Sequence, residues 1–405
     1  MARAPIIAIA DDLTGAAEIA AIGRRHGLEA IVVTDGHAPM SDADLIVFDT
    51  DSRLDPPTVA TKKIAALAQL LARQPHSFVY KKTDSVLRGG VRTELETLAT
   101  GIACPCVVLV PANPGLGRIV RGGRYSVGGV PLHHTTFAHD PHHPAATDSV
   151  RELLGDAGNF PIATLNSTDL LPRTGLIAGN ATTRSDLDAW TRHLAAGVLP
   201  AGGAEFFAAV LTSRGLTPVA RPTVFLPASP SLIVSGTASS AGMVLREAGR
   251  RDHVPVMTMP TEALRETWPV SHATLRWTEA LRIQLMATGR AIAVYDGPFS
   301  SDPRTATAIR TTFATCVGAL AARSALRHLI VEGGATAATI TRALGWHELR
   351  LVHEWATGVA SLQPAGNVPV IVTLKPGTYA WPKTLWQHVL APQRTPHLAA
   401  NRQSS

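Results

Sequence analysis

At 405 residues the chain exceeds the length at which one hydrophobic core stops growing, so two domains are expected. A 45% hydrophobic and 17% charged composition is that of a folded protein, and no apolar run approaches the ~18 residues that span a bilayer. The net charge of +6 suits an anionic small molecule. It does not suit nucleic acid, because the basic residues are scattered and aromatics are only 5%, whereas such surfaces cluster cations among stacking rings.

The chain opens MARAPIIAIADD, too short an apolar stretch for a secretion signal, and reads as a first strand. Cys104, Cys106 and Cys316 cannot build a disulfide framework, and C-x-C is not a zinc spacing, so a reducing cytoplasm is the expected setting. Strands are expected at 5–10, 29–34, 45–49, 78–83 and 106–111, with helices at 14–25, 57–71 and 91–100. That alternation implies a parallel sheet covered by helices. The Gly-rich segment 118–131 reads as a hairpin excursion, and a helix-strand-helix stretch follows from 149 to about 214, with its strand at 175–179. Residues 215–231 carry four prolines and read as a linker and hinge. A second series then has strands at 232–235, 255–259, 291–296, 328–332 and 368–374, and helices at 240–249, 275–288, 304–322 and 336–344. The expected fold is therefore α/β, with two domains of mainly parallel sheet and an active site in the cleft between them. The domains are expected at 1–220 and 221–391, followed by a polar tail at 392–405.

Ligands of open α/β sheets bind beyond the carboxyl ends of strands. Asp11 and Asp12 stand at such an end, before a helix start; one Asp would serve as a cap, and two make a polar mouth. The run YKKTDSVLRGG (80–90) stands at another. Alternation puts Lys82 and Asp84 on one side and Lys81 on the other, and with Ser85 and Arg88 they can clamp a carboxylate and hydroxyls. The turn at Gly333 and Gly334, running through Ala335 to Thr336, would let backbone N–H groups approach phosphates. No P-loop and no dinucleotide G-x-G-x-x-G motif is present. His133, His134, His139, His142 and His143 lack a metal-ligand pattern and read as a loop lining the site, so no protein metal ligand is assigned. Trp346, Trp355 and Trp381 read as packing residues.

These stretches together resemble the four-carbon acid sugar kinase family, long catalogued as a domain of unknown function. IADDLTGAAEIA (8–19), YKKTDSVLRGGVRTELE (80–96), the 111–141 segment, LIVSGTASSAG (232–242), LIVEGGATAATITRALG (329–345) and VTLKPGTYAWP (372–382) occur in the family's order across both halves. The resemblance implies an N-terminal domain for the acid sugar and a C-terminal domain for ATP. It also implies phosphorylation of the terminal hydroxyl of 3-oxotetronate, threonate, erythronate or 3-oxoisoapionate. Carried over by position, Asp11, Asp12, Lys82, Asp84, Ser85 and Arg88 fall on the substrate side, and Ser235, Gly333, Gly334, Ala335, Thr336 and Gly377 on the ATP side. The chain departs from the family at Ala335, where Glu is usual, and at 375–379, where KPGTY replaces SGNFG. It departs also at Gly90, where Asn is common, and at Asn180, where Asp is common. The expected chemistry is in-line transfer from ATP, with Mg²⁺ bridging the phosphates and Asp12, or failing that Asp84, taking the hydroxyl proton. Lys82 and Arg88 are expected to hold the substrate carboxylate. A non-catalytic sugar-acid sensor on the same scaffold is the rival reading, and a homodimer is compatible with either.

Overall fold

The computed structural model describes residues 4–391 apart from 35, 37, 38, 41, 141, 157, 221–225, 228, 237–239, 265–270, 298–301, 324 and 378. The polar tail and the middle of the proline linker lie outside the described residues. The first half begins β1 (Ile6–Ala10), α1 (Leu13–Arg25), β2 (Ala30–Thr34), β3 (Leu45–Asp49), α2 (Pro57–Leu71), β4 (Val79–Lys82), α3 (Val91–Gly101) and β5 (Cys106–Val110). An antiparallel excursion follows: β6 (Arg118–Arg121), β7 (Arg124–Val127) and β8 (Val130–Pro131). The half ends with α4 (Val150–Leu154), β9 (Ile162–Leu165), β10 (Gly175–Gly179), α5 (Arg184–Trp190), β11 (Val198–Gly202) and α6 (Ala204–Ser213).

The second half begins β12 (Ser231–Ser235), α7 (Ser240–Arg251), β13 (Val256–Thr258), α8 (His272–Thr288), β14 (Arg290–Val294) and α9 (Pro303–Ala322). It ends with β15 (His328–Glu332), α10 (Gly334–Ala343), β16 (Glu348–Ala356), β17 (Val359–Pro364), β18 (Ile371–Lys375) and α11 (Lys383–Leu390). Every strand read from the sequence is present. Strands β9 and β11, the β16–β17 hairpin and α11 are additions to that reading. Among the described residues no helix is long and apolar enough to cross a membrane.

The two parallel sheets are joined. Fifteen strands form one sheet in the order β13-β14-β12-β15-β18-β17-β16-β2-β3-β1-β4-β11-β5-β10-β9. The seam is Glu348, Leu349 and Arg350 of β16, paired antiparallel with Val33, Val32 and Ile31 of β2. Because β16 and β17 pair antiparallel with each other and β17 with β18, the second half's parallel strands run opposite to the first half's. Six strand intervals separate β15 from β1. At roughly 20–25° of twist each, about 120–150° accumulates, which turns the two sets of carboxyl ends back toward one another. Strands β1, β3, β5, β12, β15 and β18 are buried along their whole length, as parallel strands covered on both faces must be. Helix α1 is buried against both halves, touching β1, β16, β17 and α10 within one apolar cluster that includes Ala16, Ala20, Leu349, Ala360 and Ala337. That packing carries the N-terminus of α1 to the N-terminus of α10.

Candidate active site

The loop between β1 and α1 holds the first pair of carboxylates. Asp12 has extended backbone and caps α1, its Oδ1 accepting from the Gly15 N–H at 2.8 Å. Its Oδ2 accepts from Thr14 Oγ1 at 2.6 Å and from Arg53 Nη1 at 2.7 Å. Asp12 therefore caps the helix and also lines a cavity of about 370 Å³. Asp11, expected on the substrate side, does not line it. Arg53 Nε and Nη2 donate to its two oxygens at 2.8 and 2.9 Å. Burial alone would raise the Asp11 carboxyl, but the Arg53 guanidinium outweighs it and holds the group below its ordinary value. The same fork comes within 3.7 Å of Asp84. Arg53, just beyond the end of β3, is thus the hub of three carboxylates, and sequence reasoning did not single it out.

At the end of β4 the strand alternation holds. Lys81 turns away and pairs with Glu94 at 2.8 Å, both fully buried. Lys82 faces the cavity, its Nζ 3.5 Å from Glu18 and donating to the Thr83 carbonyl at 3.0 Å. Asp84 accepts from the Val86 and Arg88 N–H groups at 3.1 and 3.2 Å, and from Arg88 Nε and Nη2 at 3.0 and 2.8 Å. Burial pushes its carboxyl up, and the Arg88 and then Arg53 cations override this, holding it far below the carboxylate range. Arg88 lines the cavity, but its fork is occupied by Asp84 and its Nη1 by Asp140, at 2.9 Å. Beside Ser85 stands Arg118 from β6, whose guanidinium has no carboxylate at ion-pair distance among the described residues. Its Nη1 donates to Ser85 Oγ, and its guanidinium lies 5.6 and 5.9 Å from the Phe137 and Tyr379 rings.

The second half supplies the opposite wall. Gly333 takes φ +104°, closed to side-chain-bearing residues, and α10 has no side-chain cap, so its first N–H groups are left for another acceptor. A Cβ at Gly334 would lie 2.9 Å from Asp12 Oδ2 and 3.3 Å from Thr14 Oγ1, which brings the phosphate-type turn directly against the first half's carboxylate. Ala335, Thr336 and Gly377 also line the cavity. Ser235 does not: its Oγ donates to Glu332 Oε2 at 2.7 Å, and Lys375 Nζ and Trp381 Nε1 reach Oε1 at 2.5 and 3.2 Å. Ser235, Glu332 and Lys375 thus tie together the ends of three adjacent parallel strands.

The histidine-rich loop reaches the site through His142, which lines the cavity. His143 Nε2 lies 2.8 Å from the Arg53 carbonyl oxygen. Among the described residues no group of three or more His, Cys, Asp or Glu side chains is placed to hold a metal.

Residues 6–210 match the model of a sugar-binding N-terminal domain, and residues 232–379 that of a nucleotide-binding C-terminal domain. A 3-oxo-tetronate kinase of Cupriavidus necator is 26% identical over 94% of this chain and 96% of its own length. The chain belongs to the two-domain sugar-acid kinase family. A D-threonate kinase of Salmonella typhimurium is 30% identical across 39% of this chain and 38% of that enzyme, and a D-erythronate kinase of Heliobacterium modesticaldum 30% identical across 45% and 46%. The fold matches a candidate tRNA synthase of Salmonella typhimurium LT2, with TM-score 0.76 and 19% identity over 95% of this chain and 98% of that one. It also matches a Haemophilus influenzae protein, with TM-score 0.69 and 20% identity over the same shares. At those identities the likeness speaks to the fold alone.

Proposed function

We propose that this kinase transfers the terminal phosphoryl group of ATP to the terminal hydroxyl of a four-carbon acid sugar, a tetronate or 3-oxotetronate. The observation that carries the reading is the meeting of Asp12 and Gly334 in one cavity, a carboxylate of the sugar-binding half against an uncapped glycine turn of the nucleotide-binding half. In this account the N–H groups at the start of α10 hold phosphate oxygens, and Gly333 and Gly334 give them room. Lys82 and the guanidinium of Arg118 take the substrate carboxylate, with Ser85 beside them. Arg88, whose fork is already held, orients Asp84 and the 84–88 loop. Asp12 is the proton acceptor, because Asp84 is saturated with donors and too acidic to compete for a hydroxyl proton. Asp11 and Ser235 act one step back, fixing Arg53 and Glu332. Mg²⁺ would neutralise the phosphate charge when bound; Asp12, Glu18, Asp84 and Glu332 each face a cation already, so the ion would be held mainly by phosphates and water.

The test is ADP formation by purified enzyme with ATP and Mg²⁺ against D-threonate, D-erythronate, 3-oxotetronate and 3-oxoisoapionate. The reading expects one of the four-carbon acids to be turned over with kcat/KM of order 10⁴ M⁻¹s⁻¹ or more. ADP formation that stays at the acid-free background for every compound would sink it.

A further inference from the structure

The charges lining the cavity divide by whether they are already paired. Arg53 is held by Asp11 and Asp12, Arg88 by Asp84 and Asp140, and Lys82 faces Glu18. Among the described residues only two lining cations have no carboxylate at ion-pair distance: Arg118 on the sugar side and Arg310 on the nucleotide side. Arg310 and Ala306 stand one turn apart on the face of α9 that lines the cavity, on the same side as the 333–336 turn. The half-buried Arg310 side chain makes one hydrogen bond, from Nη2 to Thr307 Oγ1 of its own helix at 3.1 Å. Asp51, whose charge acts on it from outside ion-pair distance, is itself engaged at 2.7 Å by Arg342. A guanidinium kept partly dry without a counter-ion is costly unless a ligand anion completes it. Burial accordingly lowers its pKa.

We propose that Arg310 is a catalytic residue of this kinase, a built-in arginine that contacts the transferring γ-phosphoryl group from the nucleotide-binding half. The proposal rests on the kinase reading above. In the step it serves, the substrate's hydroxyl oxygen forms the new O–P bond. The bond from the γ-phosphorus to the β–γ bridging oxygen breaks, its electron pair leaving on ADP, and the hydroxyl proton passes to Asp12. Charge spread over the equatorial and leaving oxygens is what a forked cation stabilises, and of the two arginines Arg310 is the one carried by the nucleotide-binding half.

The experiment compares wild type with Arg310→Ala and Arg310→Lys in turnover, and in calorimetric binding of ADP and of the non-hydrolysable triphosphate AMP-PNP. Arg310→Ala should lower kcat by about 10³-fold with the acid-sugar KM little changed. It should weaken AMP-PNP about tenfold while leaving ADP binding intact. Added guanidinium ion should restore part of the rate, and Arg310→Lys should fall between the two. An unchanged kcat in Arg310→Ala, with wild type active, overturns the role of Arg310 alone. Equal loss of ADP and AMP-PNP binding with no guanidinium rescue also overturns it, because that is the signature of a structural residue. A wild-type enzyme that phosphorylates none of the acids removes the kinase reading, and Arg310's role with it.

Discussion

Replacing Arg53 probes the part of the site that depends most on one side chain. Arg53 presents two donors to Asp11 and one to Asp12 at 2.7–2.9 Å, and stands 3.7 Å from Asp84. Its side chain is 16% exposed, so solvent screens these contacts little. Arg53→Ala leaves buried carboxylates facing one another, and breaking a buried pair from one side costs about 3–5 kcal/mol. For a cooperative unit of 150–250 residues that corresponds to a drop in Tm of roughly 6–20 °C. Arg53→Lys keeps the charge but cannot bridge Asp11 and Asp12 at once, so it should lose part of this. The pH dependence gives the sharper readout. Arg53 lowers the Asp11 carboxyl below its ordinary value of 3.8 in the folded state. Its stabilisation is therefore complete above that value and is lost as pH falls through the lower folded value. Denaturant unfolding should show a wide gap between wild type and Arg53→Ala near neutral pH that narrows on acidification. A gap under about 1 kcal/mol, or one equal in acid and at neutrality, would refute the claim that Arg53 holds the carboxylates electrostatically.

Asp12→Asn retains a helix cap but cannot accept the proton, so kcat should fall by about 10²–10⁴ with the acid sugar still bound; normal turnover here and loss in Asp84→Asn would transfer the base role to Asp84. Gly334→Ala puts a methyl 2.9 Å from Asp12 Oδ2, so it should raise KM for the acid sugar as well as for ATP, and an effect confined to ATP would contradict the contact between the halves. Asp49 is buried, and burial followed by Asp51 raises its carboxyl well above 3.8, so stability falls as pH rises from that value. Asp49→Asn should therefore raise Tm near neutral pH and leave it unchanged at about pH 3.5 or below. EDTA should abolish turnover, and Mg²⁺ or Mn²⁺ should restore it.

Much of this site was legible because its residues stand at the carboxyl ends of apolar strands, where pattern and chemistry coincide. Asp12, Lys82, Asp84 and the turn at Gly333 were found in that way, and the opposite facing of Lys81 and Lys82 followed from strand periodicity. Arg53 also follows a strand, yet a single Arg in DSRLDPP has no local partner; its ligands lie 41 and 42 residues earlier. Arg310 sits within a helix whose sequence carries no sign that its face meets a cavity. The guanidinium without a carboxylate partner was expected of Arg88 and, among the described residues, belongs to Arg118, because the Asp84–Arg88 pair closes on itself at helical spacing. Strand β11 lies within the 149–214 stretch, for which the sequence suggests a strand at 175–179 alone; Pro200 in its middle argues against a central strand, yet in the sheet Pro200 lies opposite Val108 between β4 and β5. The β16–β17 hairpin turns on Thr357 and Gly358, with Gly358 at φ +74°, and its sequence lacks a clean apolar alternation. With the hairpin overlooked, the joining of the two sheets could not be read either.

The most direct measurement is the proton-coupled ³¹P spectrum of the product formed from ATP, Mg²⁺ and the acid turned over fastest. The account predicts a new phosphomonoester signal split into a triplet by the two protons of a terminal CH₂–O–P group. A doublet would place the phosphate on a secondary hydroxyl. Inorganic phosphate alone, released at the rate ATP is consumed, would contradict transfer to an acid sugar altogether.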